Sequence, residues 1–361
     1  MFIKQTKDSF FIKLAFKQAE INLGSTSTNP SVGAVIVKNN SVISSGYTSL
    51  NGRPHAESNA LKNKLNYTNS DLYLTLEPCS HFGKTPPCTK KIISKKIARV
   101  IFSINDIDLR SKNLASKKLK KKKINIKRFV LKDFAKNFYQ SYFAQSFKGL
   151  PLIDGKLAVS KDFLSIKKKK KWITNIKSRK LANFLRSKYD CLLTTSKTIN
   201  DDNPLLNCRV EGLEKKSPAL IVLDRFFNIK KNSAFLKVKN RKIYILTNVK
   251  NSSKENFFKS KGVRVIKIKQ INLHSTNLKN IFYEIKKLGF SRILVESGVT
   301  FLNQLIKLKL IKNFYLFKSS VSLGSKGFNN SEPLYLKKIN IFKKNKIKVN
   351  LKDDSLYKVK I

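Results

Sequence analysis

Three residues of the chain could together hold a metal ion, and a fourth could move protons beside it. His55 is followed two positions later by Glu57, and Cys79 is followed nine positions later by Cys88. One imidazole and two thiolates make three zinc ligands and leave the fourth tetrahedral position for water, as in catalytic zinc sites. Bound zinc lowers the pKa of that water toward neutrality and generates hydroxide. Glu57, which is not a ligand, is then placed to carry protons from the water to a leaving amine.

The spacing of His55 and Glu57 restricts where they lie. Residues i and i+2 diverge by about 200° inside a regular helix, so the two share a site only where a helix begins, and Pro54 suits such a position. Pro78 before Cys79 likewise predicts a helix entrance, whose partial positive charge favours a thiolate.

The order of these residues is more specific than any one of them. A lone His-x-Glu arises often by chance, and buried cysteines are usually inert. The chain has only three His and four Cys, however, and three of them fall in this arrangement. His-x-Glu followed by Pro-Cys and a second Cys is the signature of zinc-dependent nucleobase deaminases.

Strands and helices alternate around these residues, which predicts a three-layer α/β sandwich. The predicted elements of this half are helices at 11–19, 56–65 and 89–96, a hairpin of strands 32–37 and 41–46, and strands 72–76 and 100–104. Residues 138–147 are aromatic and polar without strong periodicity, and Gly149-Leu150-Pro151 breaks the pattern.

A second α/β pattern follows that break. Its predicted strands are 152–159, 191–194, 219–223, 242–246 and 292–296, and its predicted helices are 178–187 and 301–308. Ser297-Gly298 joins a strand to a helix, an arrangement that places helix N–H groups at a ligand, often a phosphate. A length of 361 residues also favours two domains. We therefore predict domains of residues 1–147 and 148–361.

The composition excludes some classes of protein. The chain is 41% hydrophobic, which argues against wholesale disorder. No uncharged apolar stretch reaches the length of a membrane span, and the first residues lack the features of a signal peptide. Four cysteines in 361 residues favour a reducing compartment over a disulfide scaffold. We predict a cytoplasmic protein.

The net charge of +53 invites a nucleic-acid interpretation. Most of the basic residues are Lys, and Lys, Asn and Ile share A/T-rich codons, so a biased genome accounts for the excess. The runs Lys120–Lys123 and Lys167–Lys171 are interpreted as solvated loops, with a phosphate-attracting surface as the alternative. The positive field would still attract an anionic small substrate.

Three motifs of the first half resemble the pyrimidine deaminase of riboflavin biosynthesis, which is usually fused to a reductase. They are Asn29-Pro30-Ser31-Val32-Gly33, Pro54-His55-Ala56-Glu57 and the segment 76–88. Other cytidine-type deaminases generally separate the two cysteines by two residues, so the eight residues 80–87 are the specific mark. The resemblance implies a cytidine-deaminase-like fold, a zinc ion on His55, Cys79 and Cys88, and Glu57 as proton shuttle. It also implies a substrate pocket lined by Asn29, His81 and Lys84.

The second half resembles the fused reductase, which is similar in fold to dihydrofolate reductase and uses NADPH. The motifs are the segments 156–162, 172–174, 198–209, 222–224 and 295–300. The implied cofactor-binding residues are Val159, Trp172, Thr198, Asp202, Gly298, Val299 and Thr300. The implied substrate-binding residues are Lys170, Arg186, Leu206, Arg209 and Glu296. Arg186 and Arg209 are suited to a bidentate grip on a ribose phosphate.

The chain departs from the family pattern at four places. Thr48 stands where the family has a His after Gly-Tyr, and Phe163 stands where an Asp-Gly turn is expected after Ser160. Lys167–Lys171 replace a loop with Gly and Ser, so that Lys170 takes the place of a substrate-touching Ser. The Asp-Pro-rich loop after the last strand of the first domain is reduced to 106–110.

Together these features predict a bifunctional enzyme of riboflavin synthesis. Its first domain would hydrolyse the exocyclic 2-amino group of a diamino-hydroxy-pyrimidine ribosylamine phosphate, and its second would reduce the ribosyl group to ribityl with NADPH. The alternatives are a deaminase with a decayed reductase half and a basic deaminase acting on nucleic acid. The predicted partner is a small phosphorylated pyrimidine, with no nucleic acid and no membrane. Exposed sheet edges are compatible with a homo-oligomer.

Overall fold

The computed structural model describes residues 6–146, 149–168, 172–269, 271, 275–330 and 344–361. The chain divides into two units, Met1–Gly149 and Leu150–Ile361. Within the described residues, no helix is both long and apolar enough to cross a bilayer.

The first unit is built on a five-stranded sheet with helices packed against it. Its helices are α1 (Lys7–Ile21), α2 (Ala56–Ala60), α3 (Cys88–Ser94), α4 (Leu114–Lys121), α5 (Lys132–Phe138) and α6 (Gln140–Ser146). Its strands are β1 (Gly33–Lys38), β2 (Ser41–Tyr47), β3 (Asp71–Leu74), β4 (Arg99–Phe102) and β5 (Asn125–Arg128). The strand order is β2-β1-β3-β4-β5, with β1 antiparallel to both neighbours and β3, β4 and β5 parallel.

The hairpin of β1 and β2 is held by turn and glycine chemistry that the sequence displays. Asn39 and Asn40 both take a positive φ, as a tight hairpin turn requires, and Asn tolerates this region well. A Cβ on Gly33 would lie 1.8 Å from the carbonyl oxygen of Ala15 in α1, and one on Gly46 would lie 2.4 Å from the amide nitrogen of Ala60 in α2. Glycine at these positions lets both helices sit directly on the strands, so Gly46 helps to set the place of α2.

The second unit is built on a larger, mostly parallel sheet. Its strands are β6 (Leu152–Val159), β7 (Ile166–Lys167), β8 (Cys191–Thr195), β9 (Ala219–Leu223), β10 (Ile243–Thr247), β11 (Val263–Lys267), β12 (Arg292–Glu296), β13 (Asn313–Lys318), β14 (Gly327–Phe328), β15 (Lys344–Lys346) and β16 (Ser355–Lys360). Its helices are α7 (Ile176–Arg186), α8 (Ser196–Asp202), α9 (Ser252–Ser260), α10 (Ser275–Lys287) and α11 (Val299–Lys307). The main sheet has the order β11-β10-β9-β8-β12-β6-β13-β16-β15, and β7 pairs with β14.

Most predicted elements of the two units are present, and three predictions need correction. The helix after His55 ends at Ala60 instead of 65. Residues 138–146 lack a strong helical periodicity, yet Phe138 ends α5 and Gln140–Ser146 form α6. Aromatic rings of both helices pack on the core. The predicted helix entrance at Pro78 is wrong, because Cys79 lies in irregular chain and the helix begins at Cys88 after Pro87.

Candidate active sites

The imidazole of His55 and the thiols of Cys79 and Cys88 converge in the first unit. The distances from His55 Nδ1 are 3.7 Å to Cys79 Sγ and 3.5 Å to Cys88 Sγ, and the three donor atoms all lie within 4.8 Å of one another. Nitrogen and sulfur ligands at about 2.0–2.3 Å from a tetrahedral zinc are separated by about 3.6–3.8 Å. The donor set and its spacing therefore fit a zinc ion.

Two helix ends bring these side chains together. His55 is the residue immediately before α2, in extended conformation, which leaves Glu57 in the first turn of that helix, as the spacing of the two residues requires. Cys88 is the first residue of α3, and its backbone N–H donates to Cys79 Sγ at 3.2 Å. Cys79 therefore faces the start of a helix that it does not itself begin.

The charges at this site are strongly coupled. The hydrogen bond from the Cys88 thiol lowers the pKa of Cys79 to about 4, against burial and with help from His55. The same hydrogen bond, together with burial, raises the pKa of Cys88. Because zinc binds cysteine as the thiolate, binding of the ion would release the proton that the raised pKa of Cys88 favours. Burial, and after it the charge of Cys79, raises the pKa of Glu57 to about 7.

The other residues predicted for the first site lie at different depths. The side chain of Asn29 is half-buried and donates from Nδ2 to the Gly52 carbonyl at 3.1 Å. His81 is half-buried and Lys84 is exposed. Thr48 is buried, and its hydroxyl accepts from the Val32 amide at 2.9 Å. In this chain the side chain therefore binds the backbone of the neighbouring segment.

A buried ion cluster marks the second unit. Arg186 donates from Nε and Nη2 to the two oxygens of Glu296, at 2.6 and 3.0 Å, and from Nη1 to the Asn207 carbonyl at 3.0 Å. Lys156 Nζ lies 3.3 Å from Glu296 Oε2. The guanidinium of Arg186, which was predicted to bind a substrate phosphate, therefore binds the carboxylate of Glu296.

Lys156 is a charged member of this cluster that was not among the predicted site residues. It stands directly opposite Glu296 in the pairing of β6 with β12, and its side chain is 16% exposed. The signal was present in the sequence, because a Lys inside a mostly apolar strand needs a buried partner.

Three hydroxyl groups meet where β8 and β12 end and α8 and α11 begin. Ser297 Oγ lies 3.1 Å from Thr195 Oγ1 and 3.4 Å from Thr198 Oγ1. Gly298 precedes the first residue of α11 without a side-chain cap, and a Cβ there would meet open space. Gly298 and Thr300 are exposed and Val299 is buried, so this helix N-terminus is open at Gly298 and Thr300. Helix N-termini are a common place for phosphate binding.

The segment that follows α8 lines a cavity of about 480 Å³. Arg209 lies on its wall together with Asn207, to whose Oδ1 it donates at 2.6 Å. Lys237 and Lys239 add positive charge to the wall and Glu214 adds one negative charge. Leu206 does not line this cavity; it is buried, and its carbonyl accepts from Arg241 Nη2 at 2.6 Å.

The remaining predicted residues of the second unit are less closely grouped. Val159 is buried at the end of β6 and Asp202 is exposed at the end of α8. Trp172 is half-exposed, with the Arg179 guanidinium 4.5 Å from its ring. Lys170 lies outside the described residues. Phe163 takes a φ of +64°, in the left-handed region that glycine usually occupies.

Comparison with protein families assigns the two units separately. Residues 5–104 match the cytidine and deoxycytidylate deaminase zinc-binding region, and residues 153–357 match the RibD C-terminal domain. The predicted fold class, a deaminase-like domain followed by a reductase-type domain, is confirmed, as is the predicted zinc-binding character of the first.

Two relatives match over most of the chain, and both are riboflavin biosynthesis proteins. The chain is 31% identical to the riboflavin biosynthesis protein RibD of Aquifex aeolicus, over 88% of each chain. It is 31% identical to RibD of Buchnera aphidicola, over 91% of this chain and 90% of the relative.

Solved structures agree in fold over nearly the full length. RibD of Acinetobacter baumannii matches with a TM-score of 0.82 at 23% identity, over 98% of both chains. The Thermotoga maritima diaminohydroxyphosphoribosylaminopyrimidine deaminase/5-amino-6-(5-phosphoribosylamino)uracil reductase matches with a TM-score of 0.81 at 25% identity, also over 98% of both. On these matches, the chain belongs to the RibD family of riboflavin biosynthesis proteins.

Proposed function

We propose that this chain catalyses two successive steps of riboflavin synthesis, a hydrolytic deamination and an NADPH-dependent reduction. The observation that carries the proposal is the convergence of His55, Cys79 and Cys88 beside the buried carboxyl of Glu57. The deaminase activity is assigned to residues 1–147 and the reductase activity to residues 148–361. The substrate is a diamino-hydroxy-pyrimidine ribosylamine phosphate.

In the first unit, His55, Cys79 and Cys88 would hold one zinc ion. Zinc, when bound, supplies Lewis-acid activation of water at neutral pH. Glu57 takes a proton from the attacking water and delivers it to the exocyclic amine. A bond forms between the ring carbon and the water oxygen, the bond from that carbon to the exocyclic nitrogen breaks, and ammonia leaves. Burial of Glu57 keeps bulk water from competing for that proton.

Three further residues of the first unit are proposed to bind the substrate. Asn29 is held by the Gly52 carbonyl and offers its amide oxygen to the pyrimidine. His81 and Lys84 lie on the segment between the two cysteines, and the exposed Lys84 suits a phosphate or carbonyl oxygen.

In the second unit, NADPH, when bound, supplies the hydride that reduces ribosyl C1′ and opens the ring to a ribityl chain. Gly298, Val299 and Thr300 form the start of α11, which has no side-chain cap and suits the phosphates of the dinucleotide. The hydroxyl of Thr198 lies 3.4 Å from that of Ser297, next to this helix start. Val159, Trp172 and Asp202 are proposed as further cofactor contacts.

The substrate of the second unit is proposed to lie near Glu296. Arg186 and Lys156 keep that carboxylate charged and fixed. Because Arg186 is engaged by Glu296, Arg209 is the better candidate for the substrate phosphate, which Lys237 and Lys239 also favour. Leu206, whose carbonyl accepts from Arg241, and Lys170 are proposed as further substrate contacts.

The test is to incubate the purified full-length chain with the pyrimidine substrate, with and without NADPH, and to identify products by mass. Without NADPH, one amino group should be replaced by a carbonyl oxygen; with NADPH, two hydrogens should be added to that product. A reaction that stops at the deaminated compound would remove the reductase assignment, and an unchanged substrate would remove the deaminase assignment. In that case the reductase is tested by supplying the deaminated compound with NADPH. A cytoplasmic location, a homo-oligomer and the absence of nucleic-acid binding stay predictions.

A further inference from the structure

The loop between β4 and α4 is tied to the segment that carries the first cysteine. Glu77 Oε2 accepts from the backbone amides of Asp106 at 3.2 Å and Asn113 at 3.1 Å. Lys118 Nζ, on α4, donates to the Ser80 carbonyl at 2.6 Å. These contacts bracket Cys79 and fix residues 103–113, hereafter the 103–113 loop, against the chain on both sides of it.

Ser111 is the point of this loop that reaches the predicted substrate residue His81. Its side chain is fully buried. Its Oγ lies 2.7 Å from His81 Nδ1 and 3.3 Å from the backbone nitrogen of Ser80, which donates to it. Ser111 is itself held by the backbone, since its amide donates to the Asp108 carbonyl and its carbonyl accepts from Leu114.

These contacts favour one of the two tautomers of the His81 imidazole. A serine hydroxyl offers one donor and two acceptor positions, and the Ser80 amide occupies one acceptor position of Ser111. Among the described residues, the acceptor available to the Ser111 hydroxyl hydrogen is His81 Nδ1. If Nδ1 accepts, the proton lies on Nε2.

We propose that Ser111 is a positioning residue for the deaminase reaction: it fixes the neutral ring of His81 as the Nε2–H tautomer and leaves that N–H free to donate to an oxygen of the substrate. The inference rests on the proposed function for the binding role of His81. The assignment of the tautomer is argued from the contacts of Ser111 and does not depend on the proposed function.

The tautomer is measurable in the wild-type chain. The protein has only three histidines, so a long-range ¹H–¹⁵N correlation spectrum of the zinc-loaded, histidine-labelled protein contains three ring systems. The His81 ring is the one whose signals disappear in His81→Gln. A protonated Nε2 and an unprotonated Nδ1 are expected; a ring protonated on Nδ1 would overturn the proposal, whether or not the protein deaminates its substrate.

Two variants separate positioning from folding. Ser111→Ala should give a mixture of His81 tautomers and raise the deaminase KM about threefold to tenfold, as loss of one hydrogen bond would, with little change in kcat. Ser111→Thr keeps the hydroxyl and should keep the Nε2–H tautomer. Reduction of the deaminated substrate should be unchanged in both.

Ser103→Ala is the matched control. Ser103 is equally buried at the start of the 103–113 loop, and its Oγ has no partner among the described residues. It should leave the His81 spectrum and the deaminase KM as in wild type. An Ala variant of Ser111 with unchanged tautomer and KM would contradict the proposal, and if that variant fails to fold, the wild-type spectrum decides.

Discussion

Both oxygens of Glu296 accept hydrogen bonds from Arg186, from Nε at 2.6 Å and Nη2 at 3.0 Å, and both side chains are buried. The two residues are 110 positions apart in the chain and lie on β12 and α7. A buried ion pair of this kind adds little stability relative to an apolar pair, but removing one partner leaves an uncompensated charge.

Glu296→Gln should therefore strongly destabilise the second unit. The charges of Arg186 and Lys156 would lose their partner, at a cost of about 3–5 kcal/mol in the free energy of unfolding. Urea unfolding followed by the fluorescence of Trp172, the single Trp of the chain, reports on this unit. The control is Glu284→Gln, whose exposed pair with Lys287 should be worth less than about 1 kcal/mol. Equal changes in the free energy of unfolding for the two substitutions would contradict a stabilising role of Glu296 toward the buried charges of Arg186 and Lys156.

Acid should weaken the second unit through the same carboxylate. Burial alone would raise the pKa of Glu296, but the charges of Arg186 and Lys156 outweigh it and lower the pKa to about 2, from an ordinary value of 4.5. A depressed folded-state pKa gives stability that is present above 4.5 and lost as pH falls toward 2. The difference in unfolding free energy between wild type and Glu296→Gln should shrink over this range. A difference that stays constant from neutral pH down to about 2 would rule this out.

Glu57→Gln should abolish most deamination while leaving the metal in place. Without a carboxylate to move protons, kcat should fall by about 10²–10⁴. Zinc content by atomic emission should stay at one per chain, because Glu57 is not among the three converging donors. Glu20→Gln on the surface of α1 is the control and should keep wild-type turnover. Retention of more than a tenth of the activity in Glu57→Gln would remove the proton-transfer role.

Cys88→Ser should remove the metal and the deaminase activity together. A serine hydroxyl is a poor zinc ligand compared with a thiolate, and two remaining donors are too few for a stable site. Reduction of the deaminated substrate should continue, because the residues proposed for it all lie in the second unit. The control is Cys208→Ser, a buried cysteine of the second unit, which should keep its zinc. Zinc retained in Cys88→Ser at the wild-type level would contradict the proposed ligand set.

The metal site could be predicted because its geometry is mostly local. The 100° step of a helix and Pro54 are enough to place His55 just before α2 with Glu57 in its first turn. The long apolar strands were equally predictable, and β6, β9 and β12 have the predicted bounds. These features depend on residues that are close together in the sequence.

Contacts between distant residues were not predictable in the same way. The helix that favours the Cys79 thiolate begins nine residues later, so the local Pro78 signal pointed to the wrong element. Arg186 was expected to grip a phosphate because its side chain suits that role, but no pattern in the chain shows that Glu296 engages it first. The contact of Ser111 with His81 spans 30 positions and follows only from the path of the 103–113 loop.

A last prediction concerns lysines that take the place of glycine after helices. Lys123 follows α4 with a φ of +59°, and its amide donates to the Lys120 carbonyl while the Ile124 amide donates to Leu119. This is the left-handed C-terminal position that glycine usually occupies. The strain of an L side chain there costs about 1–2 kcal/mol, whereas glycine costs about 0.5–1 kcal/mol through the entropy of the unfolded chain.

Lys123→Gly should therefore stabilise the first unit, by about 0.5–1 kcal/mol, because the side chain is exposed and no packing is lost. The same substitution two positions earlier, Lys121→Gly, lies in the last turn of α4 and should destabilise by about 1 kcal/mol. Hydrogen–deuterium exchange of the protected amides of β3 and β4 measures both changes in the unfolding free energy of this unit. If both substitutions lower the free energy of unfolding by the same amount, glycine acts only by raising the entropy of the unfolded chain, and the backbone of Lys123 is not strained.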